Sequence, residues 1–143
     1  RSMCARRDAL RPFREFAATR RDPARPLLWI HAPSVGEGLQ ARPVIQLLRE
    51  RRPDVQLVYT HFSPSAERFA KGLDADLAAY LPFDRARNAE AMLDALRPTA
   101  LVYSKLDVWP VLTAAAAARG VRVGMISATL ASGSGRRGTL ASA

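Results

Sequence analysis

The feature that most constrains this chain is a regular alternation of short apolar runs with longer segments of helical spacing. Five runs are typical of buried strands, and they read LLWIHA, VQLVYTHF, LAAYLPF, TALVYS and VRVGMISA. Proline or glycine bounds several of the helical segments between them. Strands that alternate with helices of this length predict an α/β domain with a parallel sheet of about five strands, and right-handed crossovers place helices on both faces.

The first 25 residues differ from the rest of the chain in their charge. They carry eight arginines against three acidic residues, a local net charge of +5. We interpret residues 1–25 as a basic lead-in, partly helical, with Phe13 and Phe16 on one face of a short helix. Residues 26–143 then form the α/β domain, which is the size of one ordinary domain.

The chain as a whole is strongly basic, with a net charge of +9. This charge favours an anionic partner: nucleic acid, an acidic membrane surface or a phosphorylated substrate. A GC-rich genome, which enriches arginine, alanine and proline together, is the alternative explanation, and the run Ala114–Ala118 favours it. One cysteine, Cys4, excludes an internal disulfide, and with only two histidines we expect no metal site and no cofactor. The longest apolar runs fall far short of the roughly 18 residues that a membrane span needs.

The segment His31–Gly38 links the first predicted strand to the first long helix. Ligands of open parallel sheets gather at the carboxyl ends of the strands, which is where this loop lies. Gly36 allows a tight turn and a close approach by a ligand. Glu37 then has two interpretations: an acid that offsets the helix dipole by about 0.3–1 kcal/mol, or a general base at a substrate site.

Three other residues near predicted strand ends have a structural and a functional interpretation. His31 is either a buried histidine bonded to backbone or a substrate contact. Ser34 either binds a phosphate or stabilises its loop, and Asp107 is either a site residue or the N-cap of the following helix. Asp84 is expected to cap the helix that follows YLPFD.

The stretch LLWIHAPSVGEGLQARPVI resembles the amino-terminal domain of the 3-deoxy-D-manno-octulosonic acid (Kdo) transferases of lipopolysaccharide synthesis. The family motif is close to W-I-H-A-x-S-V-G-E, and Trp29 to Glu37 match it in order. Four further segments are similar to family elements, so that the resemblance covers about residues 26–137. They are YTHFSPSAERFAKG, YLPFD, LRPTALVYSKLDVWP and VGMISATLASGSGRR.

The resemblance implies the amino-terminal half of a GT-B fold, a Rossmann-like three-layer domain that binds the lipid acceptor. A second domain, absent from this chain, would bind CMP-Kdo, so this chain alone is expected to be inactive. Glu37 corresponds to the family's proposed general base, which takes a proton from a hydroxyl of the lipid A precursor. The acceptor-binding residues implied by the resemblance are Ser34, Val35, Gly36, Lys105, Asp107, Arg136 and Arg137.

The resemblance also implies a peripheral location on the cytoplasmic face of the inner membrane. We expect the lead-in and the cluster Arg49–Arg52 to hold the domain against anionic lipid, with Phe13 and Phe16 adding an apolar contact. Two rival functions remain open: a basic nucleotide- or nucleic-acid-binding module, and a non-catalytic remnant. No glycine-rich phosphate loop is present, and we expect no nucleic acid as partner.

The chain departs from the family pattern at positions that bear on the acceptor. Lys105 reverses the charge of the first acid in E-T-E-x-W-P, whereas Asp107 keeps the second in kind. Thr129 and Gly133 stand where the family has basic residues, and Arg136 and Arg137 are close enough to replace them. These departures concern the acceptor and the activity rather than the fold.

Overall fold

A computed structural model describes residues 8–105 and 108–126. Helices and strands alternate along the chain after a first helix. In chain order they are α1 (Arg11–Thr19), β1 (Leu27–His31), α2 (Val35–Arg51), β2 (Gln56–His61), α3 (Ala66–Lys71), β3 (Leu77–Tyr80), α4 (Ala86–Leu96), β4 (Ala100–Ser104), α5 (Pro110–Ala118) and β5 (Arg122–Ile126).

The five strands form one parallel sheet in the order β3-β2-β1-β4-β5. The predicted Rossmann-like α/β architecture is therefore confirmed. β1 lies at the centre, and the chain builds outward from it first toward β3 and then, on the other side, toward β5. The order reverses between β1 and β4, and the crevice outside the carboxyl ends of two such strands is the usual ligand site of this architecture.

The two faces of the sheet are packed differently. Along β1, Leu27 and Trp29 point to the side covered by α1, α4 and α5, which we call the α1 face. Ile30 points to the side covered by α2 and α3, which we call the α2 face. This alternation follows from the two-residue period of a strand.

Helix α1 lies within the predicted basic lead-in and packs on the α1 face. Phe13 and Phe16 are completely buried, and the ring centroid of Phe13 lies 6.3 Å from that of Trp29. The side chain of Arg21 reinforces this packing, because it donates to the carbonyl of Leu96 at 2.6 Å and to Oε1 of Gln56 at 2.8 Å. The expectation that Phe13 and Phe16 contact a membrane is therefore wrong, since both rings belong to the core.

Two helices begin at residues other than those predicted. The sequence indicates that α2 starts at Gly38, whereas it starts at Val35, so that Glu37 lies inside its first turn. The sequence also indicates that Ser63 and Pro64 open the next helix, whereas they form a turn and α3 begins at Ala66.

Candidate functional site

The loop after β1 is fixed to the end of β2 by backbone hydrogen bonds. The amide of Ala32 donates to the carbonyl of Thr60 at 3.0 Å, and the carbonyl of Pro33 accepts from Phe62 at 3.0 Å and Ser63 at 2.8 Å. Ser34 follows in extended conformation as the N-cap residue of α2. The first turn of α2 is thereby held at the carboxyl edge of the sheet.

Glu37 is half-buried at this edge and is held through both its side chain and its backbone. The hydroxyl of Ser34 donates to Oε2 of Glu37. The hydroxyl of Ser104, at the end of β4, donates to the Glu37 carbonyl at 2.7 Å. The carboxylate thus lies at the switch between β1 and β4, where ligands of such sheets bind.

The remaining residues of this turn leave its outer surface open. Val35 is half-buried and Gly36 is exposed. A Cβ added to Gly36 would meet only Oγ of Ser34, at 3.9 Å. The open side permits a ligand to approach the first-turn amides and Glu37 together.

Gly38 and Tyr59 belong to this site, although the sequence analysis did not single them out. A Cβ on Gly38 would lie 2.5 Å from the ring of Phe69 and 2.6 Å from the Tyr59 hydroxyl oxygen, so only glycine lets α2 lie this close to β2. The Tyr59 hydroxyl is buried and has no hydrogen-bond partner among the described residues. Burial, with the nearby charge of Glu37, raises the pKa of Tyr59. In the sequence, the feature that indicates this close packing is Gly38, the second glycine of GEG.

His31 is buried completely at the end of β1. Its Nδ1 lies 2.9 Å from the Thr60 hydroxyl, which also accepts from the indole of Trp29 at 2.9 Å. The ring of Trp109 packs edge-on, with centroids 5.3 Å apart. Burial lowers the pKa of His31 to about 3, so the imidazole is neutral. The burial and the contact with Thr60 agree with the first interpretation of His31, a buried histidine.

The other predicted acceptor-binding residues are brought together only in part. Lys105 follows β4 directly, is exposed, and has a left-handed φ of 62°, with its amide donating to the Ile126 carbonyl at 2.8 Å. It therefore lies on the same sheet edge as Glu37. Asp107, Arg136 and Arg137 lie outside the described residues.

Asp84 caps a helix other than the predicted one. Its two carboxylate oxygens accept from the amides of Leu112 at 2.9 Å and Val111 at 3.0 Å, at the start of α5. The prediction that it caps α4 is wrong, because Arg85 is the N-cap residue there and makes no side-chain cap. Asp84 instead satisfies amides that α5 leaves free after Pro110.

The cluster Arg49–Arg52 is not a free basic patch. Arg49 is only 17% exposed and donates from Nη2 to Asp76 at 3.0 Å, while Arg52 pairs with Asp54 at 3.0 Å. On the same helix, three apolar side chains are unusually exposed: Leu39 (46%), Val44 (37%) and Leu47 (47%). The outer surface of α2 is therefore more apolar and less basic than the sequence suggests.

Residues 8–105 and 108–126 contain no helix long and apolar enough to cross a membrane. They also contain no group of three or more histidine, cysteine or acidic side chains placed to hold a metal ion.

Comparison with known sequences finds one family. Residues 10–143 match the model of 3-deoxy-D-manno-octulosonic-acid transferase (kdotransferase). The chain is 35% identical over 115 residues to the 3-deoxy-D-manno-octulosonic acid transferase of Bordetella pertussis, covering 77% of this chain and 27% of that protein. It is 30% identical over 115 residues to that of Chlamydia muridarum, covering 78% and 27%. The chain thus spans about a quarter of the length of these relatives.

Comparison with solved structures supports the fold. The UDP-GlcNAc 2-epimerase of Neisseria meningitidis bound to UDP-GlcNAc superposes with a TM-score of 0.55 at 16% identity, over 76% of this chain and 33% of the epimerase. A second UDP-N-acetylglucosamine 2-epimerase gives 0.57 at 15% identity, over 78% of this chain and 35% of that one. Both support a Rossmann-type α/β fold, and at this identity they bear on fold alone.

Proposed function

Because the chain belongs to the Kdo transferase family, we propose that it is the acceptor-binding part of an enzyme that transfers Kdo from CMP-Kdo to a lipid A precursor in lipopolysaccharide synthesis. The observation that carries this proposal is the family match over residues 10–143. The position of Glu37 at the carboxyl edge of β1 supports it, since substrates of such sheets bind there.

In the proposed reaction Glu37 acts as general base. A hydroxyl oxygen of the acceptor forms a bond to the anomeric carbon of Kdo, and CMP leaves with the electron pair of the broken C–O bond. The hydroxyl proton passes to the Glu37 carboxylate and is later lost to water. The contact from Ser34 orients the carboxylate, and the Ser104 bond fixes the helical turn that carries it.

The proposed acceptor site extends from this carboxylate over the same edge. Ser34, Val35 and Gly36 would present first-turn amides to a phosphate of the lipid. Lys105, next to Ser104, would add a positive charge, and we assign Asp107, Arg136 and Arg137 to the same site from the family resemblance alone.

The proposed location is the cytoplasmic face of the inner membrane, where the domain binds peripherally. Leu39 and Leu47 are eight residues apart on one exposed side of α2. We propose that this stripe contacts lipid, in the place of Phe13 and Phe16. Arg51, which has no ion-pair partner among the described residues, would add attraction to anionic headgroups.

Transfer of labelled Kdo tests the function. The complete transferase that contains this domain should form Kdo-lipid product only when CMP-Kdo and the lipid A precursor are both present. The 143-residue chain, which spans about a quarter of its relatives, should release no CMP. Failure of the complete enzyme to form product, or CMP release by the short chain, would contradict the proposal.

Sedimentation with vesicles tests the membrane contact separately. Leu39→Gln with Leu47→Gln should reduce binding to anionic vesicles severalfold. Val111→Gln, at an exposed valine of α5, is the matched control and should bind normally. Equal binding by both proteins would exclude the stripe as the contact.

A further inference from the structure

A cavity of about 340 Å³ opens on the α1 face, on the opposite side of the sheet from α2. It lies between the start of α1, the segment after β3 and the start of α4. The charged and large apolar residues that line it are Asp8, Leu10, Arg14, Phe83, Arg85 and Arg87. Neither the family match nor the proposed base Glu37 accounts for this cavity.

Three arginines from two elements line the cavity. Arg14 comes from α1, and Arg85 and Arg87 come from the start of α4. Within residues 8–105 and 108–126, none of the three side chains forms an ion pair or donates a hydrogen bond; the guanidinium carbon of Arg85 lies 5.9 Å from the ring centroid of Phe83. The other arginines near α1 and α2 are largely engaged, as Arg11, Arg21 and Arg49 are. Three arginine side chains without an ion-pair partner among the described residues therefore line one concave space.

The acidic groups nearby do little to neutralise them. Among the described residues, Asp8 is the one carboxylate that lines the cavity, and it lies 3.7 Å from the guanidinium of Arg11. Asp84, adjacent to Arg85 in sequence, is turned away to accept the amides of α5. The local balance remains positive.

The start of α4 adds to this positive potential. The helix has 11 residues, no acidic residue in its first turn and no side-chain cap. Its first-turn amides lack helical partners and carry the positive end of the helix dipole. The backbone thus reinforces the charge that the arginines supply.

We propose that this cavity binds a phosphate monoester. Guanidinium groups match the oxygen geometry of phosphate and bind it through paired hydrogen bonds. A volume of about 340 Å³ exceeds a bare phosphate and is within the usual range of small-ligand sites, so the phosphate would be attached to a body the size of glycerol or a sugar. The same chemistry occurs on free metabolites and on lipid headgroups, and the experiment separates these sources.

The test is titration of the 143-residue chain with glycerol phosphate, and with glycerol as the uncharged comparison, by calorimetry. Glycerol phosphate should bind and glycerol should not. The double variant Arg85→Gln/Arg87→Gln should bind glycerol phosphate at least tenfold more weakly. Arg68→Gln on α3 removes an exposed charge elsewhere and should bind within twofold of the parent chain. Circular dichroism melts of all proteins establish that the variants fold.

A second arm uses vesicles that contain phosphatidic acid, compared with vesicles of phosphatidylcholine. Loss of phosphatidic acid binding in the double variant, with retention in Arg68→Gln, would assign the cavity to a lipid headgroup. Binding to free glycerol phosphate without selective vesicle binding would assign it to a metabolite. The proposal would be overturned if the parent chain and the double variant bound glycerol phosphate and phosphatidic acid vesicles equally well. It would also be overturned if Arg68→Gln lost as much binding as the double variant. Kdo transfer does not enter these outcomes, so they are independent of the proposed function.

Discussion

The two faces of the sheet are formed by the same strands but are packed by different kinds of side chain. On the α1 face, Phe13, Phe16 and Trp29 are buried completely, and three helices cover them. On the α2 face the helix contacts are small, with Gly38 and Ala41 against the sheet, and leucines of α2 are left in solvent. The difference indicates that the α1 face supplies most of the stability, while the α2 face carries the turn that holds Glu37.

Two features of the α2 face are unfavourable when taken by themselves. The Tyr59 hydroxyl is buried without a partner in the described part of the chain, and an unsatisfied buried group costs about 1–3 kcal/mol. Gly38 in a helix costs roughly 0.5–1 kcal/mol relative to alanine. Both features bring α2 close to β2 and so fix the turn that carries Glu37.

Truncation of Phe16 should have the largest effect on stability. Phe16→Ala removes a completely buried ring and should lower the free energy of unfolding by about 3–5 kcal/mol. Leu47→Ala, on the exposed side of α2, should change it by less than about 0.5 kcal/mol. Urea unfolding of the 143-residue chain measures both. Similar losses for the two variants would contradict the division between the faces.

Acid should destabilise the fold through His31. Its pKa is about 3 in the folded chain, below the ordinary value of 6.5, so between these values the unfolded chain binds more protons. The contribution of neutral His31 to the free energy of unfolding is therefore fully present above pH 6.5. It falls as the pH drops below that value, by up to about 1.4 kcal/mol per pH unit. His31→Asn should flatten this dependence in urea unfolding at pH 7 and 5. Burial also lowers the pKa of His61, so His61→Asn is the comparison that isolates His31. An unchanged slope in His31→Asn would exclude this source.

Gly38→Ala should distinguish the two glycines that flank Glu37. The added Cβ would clash with Phe69 and Tyr59, and overpacking of this kind costs about 1–3 kcal/mol. Gly36→Ala meets no close atom and should be neutral or slightly stabilising. Thermal melts compare the pair, and a Gly38→Ala chain as stable as its parent would show that the α2 face is loosely packed.

Asp84→Ala should lower the free energy of unfolding by less than Gly38→Ala does. Loss of the cap on α5 should cost about 1 kcal/mol. Asp94→Ala on α4, whose carboxylate is 71% exposed and pairs with Arg119, should cost less. Equal changes in unfolding free energy would mean that Asp84 acts only as a surface charge.

The sequence predicts what depends on neighbours along the chain. Apolar runs place the strands, and the order of strand, loop and helix places Glu37 at the sheet edge. It does not predict what depends on strand order in space. Tyr59 meets Gly38 only because β2 lies beside β1, and Arg49 meets Asp76 only across the fold.

Two of the wrong expectations share another physical reason. Arginine-rich sequence around Phe13 suggests an exposed surface helix, although long charged side chains can surround a buried aromatic stripe. Asp84 precedes α4 in sequence, yet the free amides of α5 are the stronger partner. In both cases tertiary contacts override the local pattern.

The proposed role of Glu37 as general base is tested by Kdo transfer in the complete enzyme carrying Glu37→Gln. General-base catalysis contributes about 10²–10⁴-fold, so transfer should fall by at least a hundredfold while the unfolding midpoint changes little. Glu50→Gln, an exposed acid on the same helix, should retain activity. Near-normal turnover in Glu37→Gln, with Glu50→Gln equally active, would contradict the account.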